Sequence, residues 1–415
     1  MNSDEGRLQS LDAVRGVAVL GILLLNIVSF GMPHAAYSNP RAYGGWHGAD
    51  LAVFLVNFIL FDGKMRGLFS FLFGASMLLV IERAEANGRN PAVVHFSRMG
   101  WLFAFGLAHL YLVWDGDILA HYALVGMIAF ACRRMPVPRL MALGLVLVLF
   151  DTAMFAWLPM GLAQAQAVPP GSQDAVEAAR SIADFRQGFG VPSDAEIAGE
   201  LALYRGGYGA ILAHRVQENL LAPLRLLLLF GPETLAYMLF GMAGLRSGLL
   251  RGEWPRARYR RWLWIGFGIG IPVYAAIAAY MVWRQFDLFA VLLGSMALVT
   301  PVRPLMILGW ACLILLLIRP GGALTTRLAA AGRMAFTNYL ATSLVCTTLF
   351  YGYGLGWFGS LSRAGLYLVV LALWAAMLFW SKPWLARFRY GPLEWLWRSL
   401  ARGRVQPIFI ANATQ

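Results

Sequence analysis

Charged and amide side chains recur inside apolar runs of this chain, where an ionisable group is costly and is a functional candidate by default. The densest group comes in two pieces. Asn26 lies late in the first apolar run, and His34, His47 and Asp50 follow in or just after the next loop. Farther on, WDGDILAHY supplies Trp114, Asp115, Asp117, His121 and Tyr122, with His109 just upstream. His121 falls four residues after Asp117, so a helix beginning near 117 places both on one face. A histidine beside a carboxylate is how a general base is oriented. His47 with Asp50 offers a second pair of that kind, and the Asn26 amide can steady a developing oxyanion. The competing reading is structural: Asp117 caps a helix N-terminus and His121 sits at the membrane interface.

Two basic groups are candidates for holding an anion. Asp62, Lys64 and Arg66 interrupt an apolar stretch in LFDGKMRGLF. Lys64 and Arg66 there either bind an anionic group or mark a hydrated turn. Arg7, Asp12 and Arg15 stand at the start of the first apolar run. Asp12 and Arg15 pair at i,i+3 on a helix, which serves either a phosphate-bearing ligand or simply the orientation of the helix. Asn338 and Tyr339, in GRMAFTNYLATS, can equally be glue between helices. Cys132, Cys312 and Cys346 all lie in apolar segments, without metal-ligand spacing or a disulfide framework. No metal site is expected, and no P-loop, GxSxG, HExxH or dinucleotide fingerprint occurs in a credible context.

The elements that must position these residues are membrane helices. The 415 residues are 59% hydrophobic and 13% charged, about half the charge of a soluble domain, and the mean hydropathy is +0.62. Apolar spans read at about 13–31, 98–113, 117–132, 138–158, 223–246, 262–283, 333–355 and 363–381, and two interrupted ones at 50–82 and 288–319. Each interrupted segment reads as a broken span that makes one net crossing, since irregular backbone at membrane depth is tolerated where it lines a cavity. The expected architecture is an all-α polytopic bundle of about ten crossings. Its parts are an N-terminal half (1–159), an extracytoplasmic segment of amphipathic helices (160–222) and a C-terminal half with a basic aromatic interfacial tail (223–415). Arginines cluster at 246–261 and in the other short basic loops, which places those loops and both termini in the cytoplasm. The net charge of +13 is then matched to anionic lipid rather than nucleic acid. A bacterial inner membrane is the expected location, and a homodimer is compatible with the aromatic and Gly-rich faces.

The segments RLQSLDAVRGVAVLGILLLN, FDGKMRGLFSFLFGASMLL, WDGDILAHYALVG, GRMAFTNYL and FRYGPLEWLWRSL occur in that order. Together they resemble the YeiB family of bacterial membrane proteins over nearly the whole chain. That family is defined by sequence rather than by an activity. A more distant resemblance is to the transmembrane acyltransferases typified by heparan-α-glucosaminide N-acetyltransferase. It rests on Asp12, Arg15, Gly16 and Asn26, then Trp46 and Ala49-Asp50-Leu51. Tyr43 stands where those enzymes carry a histidine held to be catalytic, and the charged break at 62–66 is a second departure.

The second resemblance implies acyl transfer. A cytoplasmic acyl-coenzyme A would set its phosphates against Arg15, with Lys64 or Arg66. The acyl group would pass to a small-molecule, glycan or lipid acceptor at the outer face, with His47 or His121 as base, oriented by Asp50 or Asp117, and Asn26 at the oxyanion. The alternative is a transporter or lipid-binding protein without catalysis, because paired broken spans point to a substrate site at mid-membrane.

Overall fold

The computed structural model describes residues 3–410, with side chains from residue 9 onward, so the Arg7 side chain lies outside the described residues. Within that range the regular structure is helical apart from a single bridge between Phe388 and Phe409. Helices satisfy every backbone polar group internally, as lipid requires. The N-terminal half holds α1 (Ser3–Gly31), α2 (Gly48–Leu60), α3 (Lys64–Ala86), α4 (Pro91–Leu112), α5 (Leu119–Ala129) and α6 (Val137–Ala167). The polar segment folds as α7 (Ala175–Phe189), α8 (Asp194–Tyr204) and α9 (Tyr208–Asn219). The C-terminal half continues with α10 (Ala222–Arg246), α11 (Arg256–Trp283), α12 (Leu288–Leu292), α13 (Arg303–Leu317), α14 (Ala323–Arg333), α15 (Ala335–Phe350), α16 (Arg363–Arg387) and α17 (Pro392–Arg402).

Among the described residues six helical stretches are long and apolar enough to cross a membrane, and the bent pair Leu288–Leu298 with Arg303–Leu317 makes a seventh. The chain is therefore a multi-pass helical membrane protein. Helix α5 has 11 residues and α15 has 16, against the roughly 20 that a straight crossing needs. The apolar window of α1 is 72% buried, against 28% in α6 and 22% in α16. Hence α1 is a central post, while α6 and α16 turn apolar faces outward.

Two pairs of reciprocal glycines set the core. A Cβ on Gly16 would strike the Leu328 carbonyl and one on Gly332 the Asp12 carbonyl, which lets α1 and α14 touch backbone to backbone. Gly74 against Met238 and Gly241 against Phe71 do the same for α3 and α10. Small residues at such crossings allow the close approach on which packing in lipid depends.

Both interrupted segments are helical on either side of their break. Phe61–Gly63 form a turn between α2 and α3, with Gly63 at φ 70°, a left-handed conformation natural to glycine. In the second segment Asp287 caps α12 through the Ala290 amide at 2.9 Å. A π-turn (Leu293–Leu298) follows, and the chain then bends by 60° into α13. Pro301 and Pro304 flank this bend. A π-turn is a frequent mark of a functional site.

The polar helices close one end of the bundle. The expected boundary at 159 falls inside α6, which runs on to Ala167. Helix α8 starts with a capping box between Ser193 and Glu196. It docks through the His34 amide donating to Glu200 (2.8 Å) and the Tyr204 hydroxyl donating to Asp115 (3.2 Å). At the other extreme of the chain, α17 lies against α4 and α15. Its Glu394 accepts from the Phe336 and Thr337 amides at 2.8 and 3.0 Å, capping α15.

Candidate functional site

A cavity of about 210 Å³ opens where the two breaks meet. Its apolar wall comes from α1 (Ile22, Leu25), α2 (Phe54, Phe58), α6 (Phe155) and α10 (Phe230). Its polar wall holds Asn26, Tyr37, Asn57, Asp62, Arg66, Arg303, Tyr339 and Arg363. An engineered cavity of about 150 Å³ accepts a benzene-sized molecule, so this one has room for a small organic ligand.

Glu233 organises the basic side. It is fully buried on α10, and its two carboxylate oxygens receive Arg66 and Arg303 separately, one from each broken segment. Tyr237, one turn on, donates to the same carboxylate at 2.6 Å. Arg363, at the start of α16, donates to the carbonyls of Ala36 (2.7 Å) and Tyr43 (3.3 Å). The Nε atoms of Arg303 and Arg363 are buried without an acceptor. Asp62, next to the Gly63 that packs on Arg303, accepts from the Tyr37 hydroxyl at 2.9 Å.

The histidines are arranged differently from the sequence expectation. Helix α5 begins at Leu119, so Asp117 precedes it instead of sharing a face with His121. Asp117 Oδ2 caps the helix through the Ala120 amide at 2.9 Å, and Oδ1 meets His109 Nδ1 at 2.8 Å. Both side chains are 1% exposed. His109 Nε2 has no partner, and the ring lies 5.3 Å from that of Tyr339, which lines the cavity. His121 turns to Thr234 (Nε2 to Oγ1, 2.9 Å), and Thr234 also receives Arg66 at 3.3 Å. His121 therefore stands behind the arginine wall.

The remaining expected residues divide between the cavity and places away from it. Asn26 and Arg66 line it. Lys64 is buried behind it, donating to the Phe58 carbonyl at 2.6 Å and lying 3.2 Å over the Tyr274 ring. Asp50 is half-buried and accepts from the Ala364 amide at 2.8 Å, beside Arg363. His47 is exposed, with its ring tilted against that of Trp46 at 4.0 Å, away from the cavity. Arg15 pairs with Asp12 and Ser76, each at 2.7 Å. Arg15 is 11 residues from Asn26 along α1, about 16 Å at the helical rise. Lys64, Arg66 and Arg15 thus do not converge on one point. A second space of about 10 Å³, enough for roughly one water, shares Ile22, Asn26 and Tyr339 with the cavity and reaches Val19, one turn from Arg15. Sequence reasoning passed over Glu233 and Arg363, and took Arg303 only as part of the interruption at 288–319. Their only signal is an ionisable group beside Gly-Pro, between two prolines, or at the edge of an apolar run.

Over 402 residues the chain is 35% identical to "Uncharacterized protein YeiB" of Escherichia coli (strain K12), an alignment covering 94% of this chain and 95% of that one. It belongs to the YeiB family. This YeiB-family chain is also similar to "Uncharacterized protein YxaH" of Bacillus subtilis (strain 168), 30% identical over 97% of this chain and 96% of the relative. Residues 245–404 match the family described as "Protein of unknown function (DUF418)". That region holds Arg303, Tyr339 and Arg363, whereas Asn26, Arg66, His109 and Glu233 lie before it. The cavity of this YeiB-family protein therefore draws on both halves of the chain.

Proposed function

We propose that this chain is a membrane acyltransferase whose reaction chamber is the cavity between the two breaks. The observation that carries the reading is the buried His109–Asp117 pair behind Tyr339, with the Asn26 amide on the same wall. Asp117 fixes the imidazole so that Nε2 faces away from it, the orientation a general base needs. Nε2, through the Tyr339 hydroxyl, takes the proton of an acceptor hydroxyl or amine. The acceptor attacks the thioester carbonyl, Asn26 steadies the oxyanion, and the carbon–sulfur bond breaks. The departing thiolate recovers the proton from the imidazolium.

An acyl-coenzyme A is the donor in this reading. Its phosphates rest near Arg15, and its thin pantetheine arm runs along α1 past Val19 to Asn26. Opening that one-water constriction is part of the cycle. The basic loops and tail support ten crossings, with both termini cytoplasmic and the polar helices outside, in a bacterial inner membrane. The acceptor enters from the polar-helix end.

The test is transfer of label from acyl-labelled coenzyme A in inverted vesicles that carry the protein. Label should move to a non-thioester product with the wild type and fail to do so with His109→Gln or Asn26→Ala. Equal transfer by vesicles lacking the chain, or by both variants, removes the reading.

A transport reading is favoured by one observation: both broken segments supply an arginine to the same buried Glu233, the geometry of a mid-membrane substrate site. It requires solute movement across liposomes with no acyl donor present.

A further inference from the structure

The cavity's charge and shape say more about what enters it. Three guanidinium groups, of Arg66, Arg303 and Arg363, stand on its wall. One carboxylate answers them directly, Glu233 bridging Arg66 and Arg303, while Asp62 lines the same cavity and accepts from Tyr37. Arg363 has no carboxylate hydrogen-bonded to it. It is held by two carbonyls, and its neighbour Asp50 accepts from the Ala364 amide. Two buried N–H groups, Arg303 Nε and Arg363 Nε, lack acceptors, although buried donors are nearly always satisfied. Asp50 offsets the Arg363 charge without touching the guanidinium, which leaves that group without a contact counter-ion where one matters most.

We infer that the cavity binds a small amphipathic anion: a carboxylate or phosphate monoester on a short apolar stem. The oxyanion accepts from Arg363 and Arg303, an arrangement suited to the guanidinium fork. The stem lies against Phe54, Phe58, Phe155 and Phe230. This rests on the cavity being the substrate chamber and specifies what the acceptor or acyl product carries. It excludes neutral alcohols of equal length as good ligands.

The experiment is calorimetric titration of the purified full-length protein in neutral detergent, with no coenzyme A present. The probes are hexanoate, butyl phosphate, hexanol and inorganic phosphate. Hexanoate or butyl phosphate should bind, identifying which oxyanion is preferred, and hexanol should bind at least about tenfold more weakly, the factor expected from one lost charge-assisted hydrogen bond. Inorganic phosphate, lacking the stem, should also be weak; equal binding would point to a free ion and overturn the amphipathic assignment. Arg363→Gln should abolish selectivity for the anion. Because that side chain also braces two carbonyls, Asp62→Asn is the second variant; it removes a negative charge from the wall and should tighten hexanoate severalfold. Hexanol binding as well as hexanoate, no binding of either amphipathic anion, or an unchanged affinity in Asp62→Asn refutes the inference. Anion binding without label transfer would leave it standing while removing acyl transfer. Label transfer without anion preference would do the reverse.

Discussion

His109 Nδ1 and Asp117 Oδ1 lie 2.8 Å apart across the turn that joins α4 to α5, with both side chains almost wholly buried. The pair leaves Asp117 a second oxygen for the α5 cap, so one carboxylate both ends a turn and orients an imidazole. Replacing the imidazole should therefore separate chemistry from folding. His109→Gln is expected to lower acyl transfer by about 10²–10⁴-fold, the range for a lost acid–base group, while the detergent-solubilised protein keeps its thermal midpoint within a few degrees. A variant with full turnover would show that the pair is only structural.

Glu233, itself fully buried, holds two arginines at the cavity wall. Glu233→Gln should destabilise the bundle by about 3–5 kcal/mol, because both guanidinium groups lose their counter-charge. Adding Arg303→Met should recover part of that loss, and thermal unfolding of the single and double variants measures the coupling. Additive effects would mean that the pair does not interact.

Glu200 gives the polar helices a pH dependence. Burial raises its carboxyl from 4.5 to about 7, opposed by the His34 amide and reinforced by Asp115. The folded form thus favours the protonated acid. Its contribution to docking is complete below about pH 4.5 and is lost as pH rises through about 7. Hydrogen exchange of residues 194–204 should quicken between pH 5 and pH 8 beyond the intrinsic rate change, and Glu200→Gln should flatten the excess. An excess unaltered in Glu200→Gln would assign the dependence to another group.

The glycine contacts predict sharply different outcomes for similar changes. Gly241→Leu drives a side chain into the Phe71 carbonyl and should prevent assembly of a stable bundle, seen as lost monodisperse yield. Gly100 has open space where its Cβ would be, so Gly100→Ala should be tolerated and can gain about 0.5–1 kcal/mol of helix propensity. Equal yields from both would mean that α3 and α10 are not in backbone contact.

The class of the protein was legible in composition, since apolar runs of spanning length with little charge admit no soluble fold. The break before α3 was legible in part: Asp62 and Gly63 fall in the turn, whereas Lys64 and Arg66 belong to the first turn of α3. The partners across the cavity were not. Glu233 is separated by 167 residues from Arg66 and by 70 from Arg303, and pattern along the chain carries no information about such pairs. The histidine arrangement turned on a local matter: a helix that starts at Leu119 rather than 117 moves Asp117 off the His121 face and frees it to meet His109. His47 followed from chain proximity to Trp46 and Asp50, but it precedes α2 on the exposed side.

The Glu394 cap ties the end of the chain to the body of the bundle. Because a carboxylate from the last helix terminates α15, the C-terminal tail is a structural clamp on the bundle and a poor place for shortening. A reporter fused after an early truncation would strip α15 of its cap and report a damaged protein. Fusions should begin beyond Ile410, because Arg389 donates to the Ile408 carbonyl and Phe409 bridges back to Phe388.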